Sequence, residues 1–85
     1  MDRNAMKPSV LAARAIERVM DRGSDKDGND DSWKEKPVNY HLDRAIRHVI
    51  THKLIAEGNQ APDGERHLEL AMTRLAMSLW KAMCN

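Results

Sequence analysis

Three stretches of the chain repeat their apolar residues every three or four positions, and no stretch shows the strict apolar–polar alternation of a half-buried strand. That spacing is the period of one face of an α-helix. The sequence therefore predicts an all-α fold, a small three-helix domain that occupies residues 1–85. The expected helices cover about residues 9–22, 40–56 and 65–83, and a loop covers residues 23–38.

Residues with known capping preferences mark the ends of these helices. Ser9 is the expected N-cap of the first helix, and Gly23 is placed to stop that helix. Asn39 is the expected N-cap of the second helix, and Gly58 is its expected terminator. The polar loop between these two helices is expected to be flexible and acidic, with Trp33 as its anchor to the core.

The apolar faces of the predicted helices differ in width. The second helix has a narrow stripe that is expected to face the core, namely Leu42, Ile46, Val49 and Ile50. In the third helix, apolar residues cover about half of the circumference, more than the ~100° of an ordinary surface helix. This excess predicts a helix-mediated homo-oligomer, but a central core helix explains it equally well. The residues of this wide face are Leu68, Ala71, Met72, Leu75, Ala76, Leu79, Trp80 and Met83.

The charge balance and the single cysteine exclude several classes of protein. Fourteen Lys and Arg residues stand against thirteen Asp and Glu residues, a formal net charge of +1. A nonspecific nucleic-acid binder relies on many phosphate contacts, so this balance disfavours that class. No apolar run is long enough for a signal peptide or a membrane span, which predicts no membrane partner. Cys84 is the only cysteine, so no disulfide can form within the chain, as suits a reducing cytoplasm.

A polar ridge on the second predicted helix is the strongest candidate for ligand chemistry. His41, Arg44, His48 and His52 fall on one side of that helix, nearly opposite its apolar stripe, with Arg47 on the flank. Imidazole and guanidinium groups donate hydrogen bonds to phosphate oxygens, and a bound anion raises the pKa of a nearby histidine. The alternative is that these residues form only the solvated face of an amphipathic helix.

Two patterns suggest metal ligands, and neither is complete. His48 and His52 are four positions apart, as in helical zinc motifs, but no glutamate lies between them, and a third ligand would have to come from His41, His67 or a carboxylate elsewhere. The acidic loop resembles a calcium loop, but its sixth and twelfth positions are Asp30 and Lys36 instead of glycine and glutamate. We therefore expect no native metal site.

Two pairs of carboxylates lie on helical faces and could hold magnesium against a nucleotide phosphate. Glu17 and Asp21 share a face of the first helix, and Glu65 and Glu69 share a face of the third. The alternative for Glu65 and Glu69 is a favourable interaction with the dipole of the helix that they begin.

The order of these landmarks resembles a known family. The segments "AIERVMDRGSDKDGNDDSW", "YHLDRAIRHV" and "HLELAMTRLAMSLW" are similar to the phage-associated N-terminal domain of dATP/dGTP diphosphohydrolases, over about residues 16–80. Two positions depart from the family pattern, where Asp27 replaces a tyrosine and Leu70 replaces a histidine. The carboxylate motif of the MazG-like catalytic helices does not occur in the sequence. The matching residues are Gly23, Lys26, Gly28, Trp33, Tyr40, Arg47, His48, His67, Leu68 and Ala71.

The resemblance implies nucleotide chemistry, and the missing carboxylate motif favours binding over catalysis. The leading hypothesis is a phage or prophage protein, in the host cytoplasm, that sequesters a nucleotide or a nucleotide-derived immune signal without a cofactor. Arg47, His48 and His67 would contact phosphate, and either Trp33 or Tyr40 would stack on the base. The further candidates to complete the site are Arg44, Lys26 and Trp33.

Two other functions remain open. The first is a Mg-dependent diphosphohydrolase of dATP or dGTP, whose catalytic acids would be Glu17, Asp21, Glu65 or Glu69. The second is a helical interaction protein that inhibits a host factor through its apolar faces.

Overall fold

A computed structural model describes residues 5–27 and 32–84, with side chains described outside residues 23–27. It contains three α-helices, α1 (Pro8–Asp27), α2 (Val38–Ala56) and α3 (His67–Cys84). A short 3-10 helix, Ser32–Glu35, precedes α2. No strand occurs among the described residues, which confirms the predicted all-α, three-helix fold.

Three of the predicted helix caps are wrong. Ser9 is not the N-cap of α1 but lies in its first turn, because α1 already begins at Pro8, where proline is well tolerated. α1 does not stop at Gly23 but continues to Asp27, because glycine weakens a helix interior by only about 1 kcal/mol and does not by itself end it. The N-cap of α2 is Pro37, not Asn39, and Pro37 has an extended backbone without a side-chain capping bond. Its carbonyl accepts a hydrogen bond from the Tyr40 N–H, which closes the first turn.

The predicted terminator of α2 is confirmed. Gly58 has a positive φ of 80°, a conformation that residues with a Cβ rarely adopt. The Asn59 N–H donates to the Leu54 carbonyl, and the Gly58 N–H donates to the Ile55 carbonyl, which together form a Schellman motif.

The turn between α2 and α3 ends in a second glycine with a positive φ, Gly64 at 79°. Next to it, the Asp63 carboxylate accepts a hydrogen bond from the Glu65 N–H. α3 therefore begins at His67, two residues later than predicted.

α2 and α3 form an antiparallel pair, and α1 packs on a different side of α3. Three contacts along the pair show its direction: His48 meets His67, His41 meets Arg74, and the Trp33 ring meets the Trp80 ring. The last contact joins the 3-10 helix to the end of α3 at a centroid distance of 5.1 Å, so Trp33 is the anchor that the sequence predicted.

Small residues fill the helix contacts. The only buried hydrophobic residues in the described part of the chain are Ala15, Ala45 and Ala71. Thr73 and Ser78 are also buried, and their hydroxyls donate to main-chain carbonyls one turn earlier in α3. Side chains of this size let the helix backbones approach closely, but they bury little apolar area.

The predicted orientation of α2 is wrong. Ile46, Val49 and Ile50 were expected to face the core, but they are 55%, 39% and 50% exposed. Instead, His41 and Ala45 are buried against α3. An apolar stripe shows only that one face of a helix avoids water, whereas α3 offers hydrogen-bond partners that satisfy the imidazoles of the other face.

The structure bears on one of the two alternatives that the wide apolar face of α3 left open, the central core helix. α3 is the central helix, because it packs against both α1 and α2. Yet Leu68, Leu75 and Leu79 remain 49%, 49% and 62% exposed. Among the described helices, none combines the length and the hydropathy needed to cross a bilayer.

Candidate functional site

His41 lies inside the α2–α3 contact and is fully buried. Its Nδ1 accepts a hydrogen bond from Arg74 Nη1 at 3.0 Å, and its Nε2–H donates to the Trp33 carbonyl at 2.8 Å. Burial is the main cause that lowers the pKa of His41, and the nearby charges of Arg74 and Lys81 lower it further, against the hydrogen bond to Trp33. His41 is therefore a neutral structural residue, and the prediction that it lies on a solvent-facing ridge is wrong.

Three side chains at the other end of the helix pair form a hydrogen-bonded chain. His48 Nδ1 lies 2.9 Å from His67 Nδ1, and His67 Nε2 lies 2.8 Å from Asp63 Oδ2. His67 is 8% exposed, whereas Asp63 is at the surface. The hydrogen bond from the Glu65 N–H is the main cause that lowers the pKa of Asp63, and His67 lowers it further. The hydrogen-bonded series therefore ends in an ionised carboxylate.

The carboxylate fixes the direction of this chain. It accepts the hydrogen bond of the His67 Nε2–H, and His67 Nδ1 in turn accepts from the Nδ1–H of a neutral His48. The lone pair of His48 is then on Nε2. No described residue bonds this atom, and among the described side chains no buried polar atom lacks a partner, so Nε2 reaches solvent.

Positive groups surround His48. Desolvation is the first cause that lowers the pKa of His48, and the repulsion that its protonated form meets from His67, Arg44 and Arg74 adds to it, while Glu65 acts in the opposite sense. The histidine is therefore neutral near pH 7, in a region where an anion would be favoured.

The positive charge gathers around one aromatic ring. Lys36 Nζ, Arg44 Cζ and Arg74 Cζ lie 5.2, 5.6 and 5.7 Å from the centroid of Tyr40. Tyr40, Arg44 and His48 are spaced four residues apart, so they form one ridge of α2. Within the described part of the chain, neither Lys36 nor Arg44 pairs with a carboxylate. We call Lys36, Tyr40, Arg44, His48 and Arg74 the cationic cluster.

The structure brings together only some of the residues that the sequence singled out. Tyr40, Arg44, His48 and His67 belong to one region. Arg47 is exposed one turn from Arg44 on α2. Trp33 lies apart, packed edge to face against Trp80 and His41. The Lys26 side chain and Gly28 fall outside the described residues, as does the centre of the calcium-like loop.

The proposed catalytic acids do not share one site. Glu65 and Glu69 line an open groove of about 240 Å³ between α1 and α3, together with Arg18 and Arg66. Glu69 already accepts from Arg18 at 3.1 Å and from Arg66 at 3.4 Å.

The remaining candidates lie elsewhere on the helices. Glu17 and Asp21 are exposed on α1 and do not line the groove between α1 and α3. His52 is exposed on α2, and the described residues contain no group of three side chains placed to share a metal ion.

Three residues of the site were missed from the sequence: Lys36, Asp63 and Arg74. Arg74 carried a usable signal, because it follows His67 by seven positions and therefore lies on the same face of α3. The sequence around Asp63 indicates only a turn, because no feature of the neighbouring residues shows that the Asp63 carboxylate contacts His67.

The fold and the site define a small three-helix protein with a cationic, histidine-bearing surface on its second helix. Comparison of the chain with family models, with curated proteins and with solved structures found no match.

Proposed function

We propose that the chain binds a nucleotide or a nucleotide-derived ligand through its phosphate group and withholds it from other proteins. The observation that carries the proposal is the cationic cluster, in which two cations have no carboxylate partner among the described residues. Guanidinium groups bind phosphate oxygens in a bidentate fashion, and uncompensated positive charge draws the anion in.

His48 gives this cluster a second way to hold an anion. Its Nε2 reaches solvent beside Arg44 and Arg74, so a phosphate at the cluster favours protonation of the imidazole. The proton on Nε2 then becomes a further donor to the phosphate. The resulting positive charge is stabilised through His67 by the Asp63 carboxylate.

The assignment changes the roles of two predicted residues. Trp33 is left out of the ligand site, because its ring is occupied by contacts with Trp80 and His41. Arg47 stays at the edge of the site, where it adds charge to the same surface of α2.

The resemblance to the phage-associated dATP/dGTP diphosphohydrolase domain supports a nucleotide over other phosphate compounds. We propose that the chain belongs to that family, acts in the cytoplasm of a phage-infected host and works as a homo-oligomer. Sequestration is favoured over hydrolysis, because the acids of the enzyme alternative lie on separate surfaces and Glu69 is held by two arginines.

The test begins with an equimolar pool of dNTPs and cyclic mono- and dinucleotides, incubated with the protein and Mg²⁺, and ends in mass spectrometry of the bound and unbound fractions. One intact compound in the bound fraction is expected. Failure to retain any compound would refute the proposal, and conversion of dATP or dGTP to its monophosphate would establish the enzyme instead.

Variants then locate the site for the retained compound. Arg44→Ala should weaken binding by roughly 10- to 100-fold, the loss of one charged hydrogen-bonding group worth about 1.5–3 kcal/mol. Arg14→Ala removes another exposed arginine, on α1, and should leave the affinity unchanged. Equal affinities of the two variants, measured by isothermal titration calorimetry, would place the ligand elsewhere.

A further inference from the structure

Large apolar side chains are exposed on α2 and α3, away from the cationic cluster. The aliphatic and thioether side chains among them are each at least 39% exposed. We call this set the apolar face. It consists of Ile46, Val49 and Ile50 on α2, and of Leu68, Leu75, Leu79 and Met83 on α3.

The geometry of the helix pair places both halves of this set on one side. On α2, Val49 and Ile46 are rotated by roughly a quarter turn or more from the side that meets α3, and on α3 Leu75 is rotated in the same sense from the side that meets α2. Because the two helices are antiparallel, the same sense of rotation leads to the same side of the pair. α1 does not cover it, since α1 contacts Glu69 on the opposite side of α3.

The total surface area shows that the single chain exposes more surface than a compact monomer of its mass. The chain exposes 6445 Å². A folded monomer of 9.7 kDa exposes roughly 5,100 Å² by the usual scaling with mass, so the excess is about 1,300 Å². Each partner in a standard protein–protein interface buries about 800 Å², which is within that excess.

The core of the single chain is equally incomplete. Its buried hydrophobic residues are three alanines, so no leucine, isoleucine or valine of the described part is fully removed from water. A second copy supplies what is missing, because it brings the same aliphatic face and a net charge of only +1, which gives little repulsion.

We propose that two copies of this chain pair through the apolar face, so that the α2–α3 pairs form a four-helix core. An isologous dimer with twofold symmetry buries the two identical faces against each other. The ridge of Tyr40 and Arg44 lies on the other side of α2, so each copy keeps its cationic cluster open to solvent. The dimer thus presents two separate ligand sites, and its formation does not depend on the ligand.

Sedimentation equilibrium of the purified chain from about 1 to 100 μM tests the pairing, with the concentration range set by typical dimer affinities. We expect a mass of twice 9.7 kDa at the upper end of that range. A wild-type chain that stays at the monomer mass, with or without nucleotide, would overturn the proposal. So would a chain that assembles only after a different protein is added.

Two glutamate substitutions locate the interface. Leu75→Glu and, independently, Ile46→Glu place a carboxylate in the middle of the apolar face and should weaken pairing by about 100-fold or more, since two buried charges without partners result. Both positions are about half exposed in the single chain, so circular dichroism should show retained helix. Ala13→Glu on the exposed surface of α1 is the control and should remain dimeric. Dimers that persist in both face variants would place the interface elsewhere.

Discussion

Replacing His41 by alanine is the sharpest test of how α2 is oriented. His41 is fully buried and joins two elements, because it accepts from Arg74 of α3 and donates to the carbonyl of Trp33. If the apolar stripe of α2 faced the core instead, His41 would be a solvated residue and its loss would cost almost nothing. The two orientations therefore predict different stabilities.

The size of the effect follows from these two hydrogen bonds. The neutral bond to Trp33 contributes about 0.5–1.5 kcal/mol, and the bond from the Arg74 guanidinium about 1.5–3 kcal/mol. The higher helix propensity of alanine offsets roughly 0.5 kcal/mol of this loss in the free energy of unfolding. The expected loss is about 3 kcal/mol, a large part of the roughly 4–13 kcal/mol that a chain of this length has in total.

Urea denaturation followed by circular dichroism measures this loss. For an m-value of about 1–1.5 kcal/mol/M, the midpoint should fall by roughly 2–3 M in His41→Ala. His52→Ala is the matched control, because it makes the same chemical change at an exposed position of the same helix and carries the same gain in helix propensity. Both variants are compared at one chain concentration, since dimer formation would add to stability. Equal midpoints for the two variants would refute the buried orientation of His41.

Two further predictions concern pH and the turn. Since the pKa values of His41 and His48 are lowered in the folded chain, the unfolded chain binds more protons below about pH 6.5, and stability should fall as the pH drops from there towards the folded-state values. Urea midpoints at pH 7.5 and 5.5 measure this loss of stability, which should be smaller in a His48→Gln variant. An equal loss of stability in that variant would contradict the lowered pKa of His48. Gly58→Ala should cost about 1 kcal/mol or more, because a Cβ is strained at a φ of 80° although no atom lies within 4 Å of it. Gln60→Ala, in the same exposed turn, should melt like the wild-type chain, and a Gly58→Ala variant that melted with it would rule out the positive-φ cap.

The candidate site was only partly predictable from the sequence. Tyr40, Arg44 and His48 lie on one ridge because of the helical period, which is a local property. The chain of His48, His67 and Asp63 depends on the register of α3 against α2 and on the path of the turn, so it joins residues up to 19 positions apart. Spacing within one helix contains no information about that register.

What the sequence by itself determined was the number of helices, their type and the sharp end of α2. These features follow from a repeat of three to four residues and from the positive φ that Gly58 can adopt, and both act within a few residues of the chain. The tertiary structure decided which side of α2 is buried. An apolar stripe favours leaving water, but Ala45 and Ala71 permit a close approach, and the imidazole of His41 finds two hydrogen-bond partners there. Those partners come from distant segments, so only the folded chain could place the histidines inside and the aliphatic face outside.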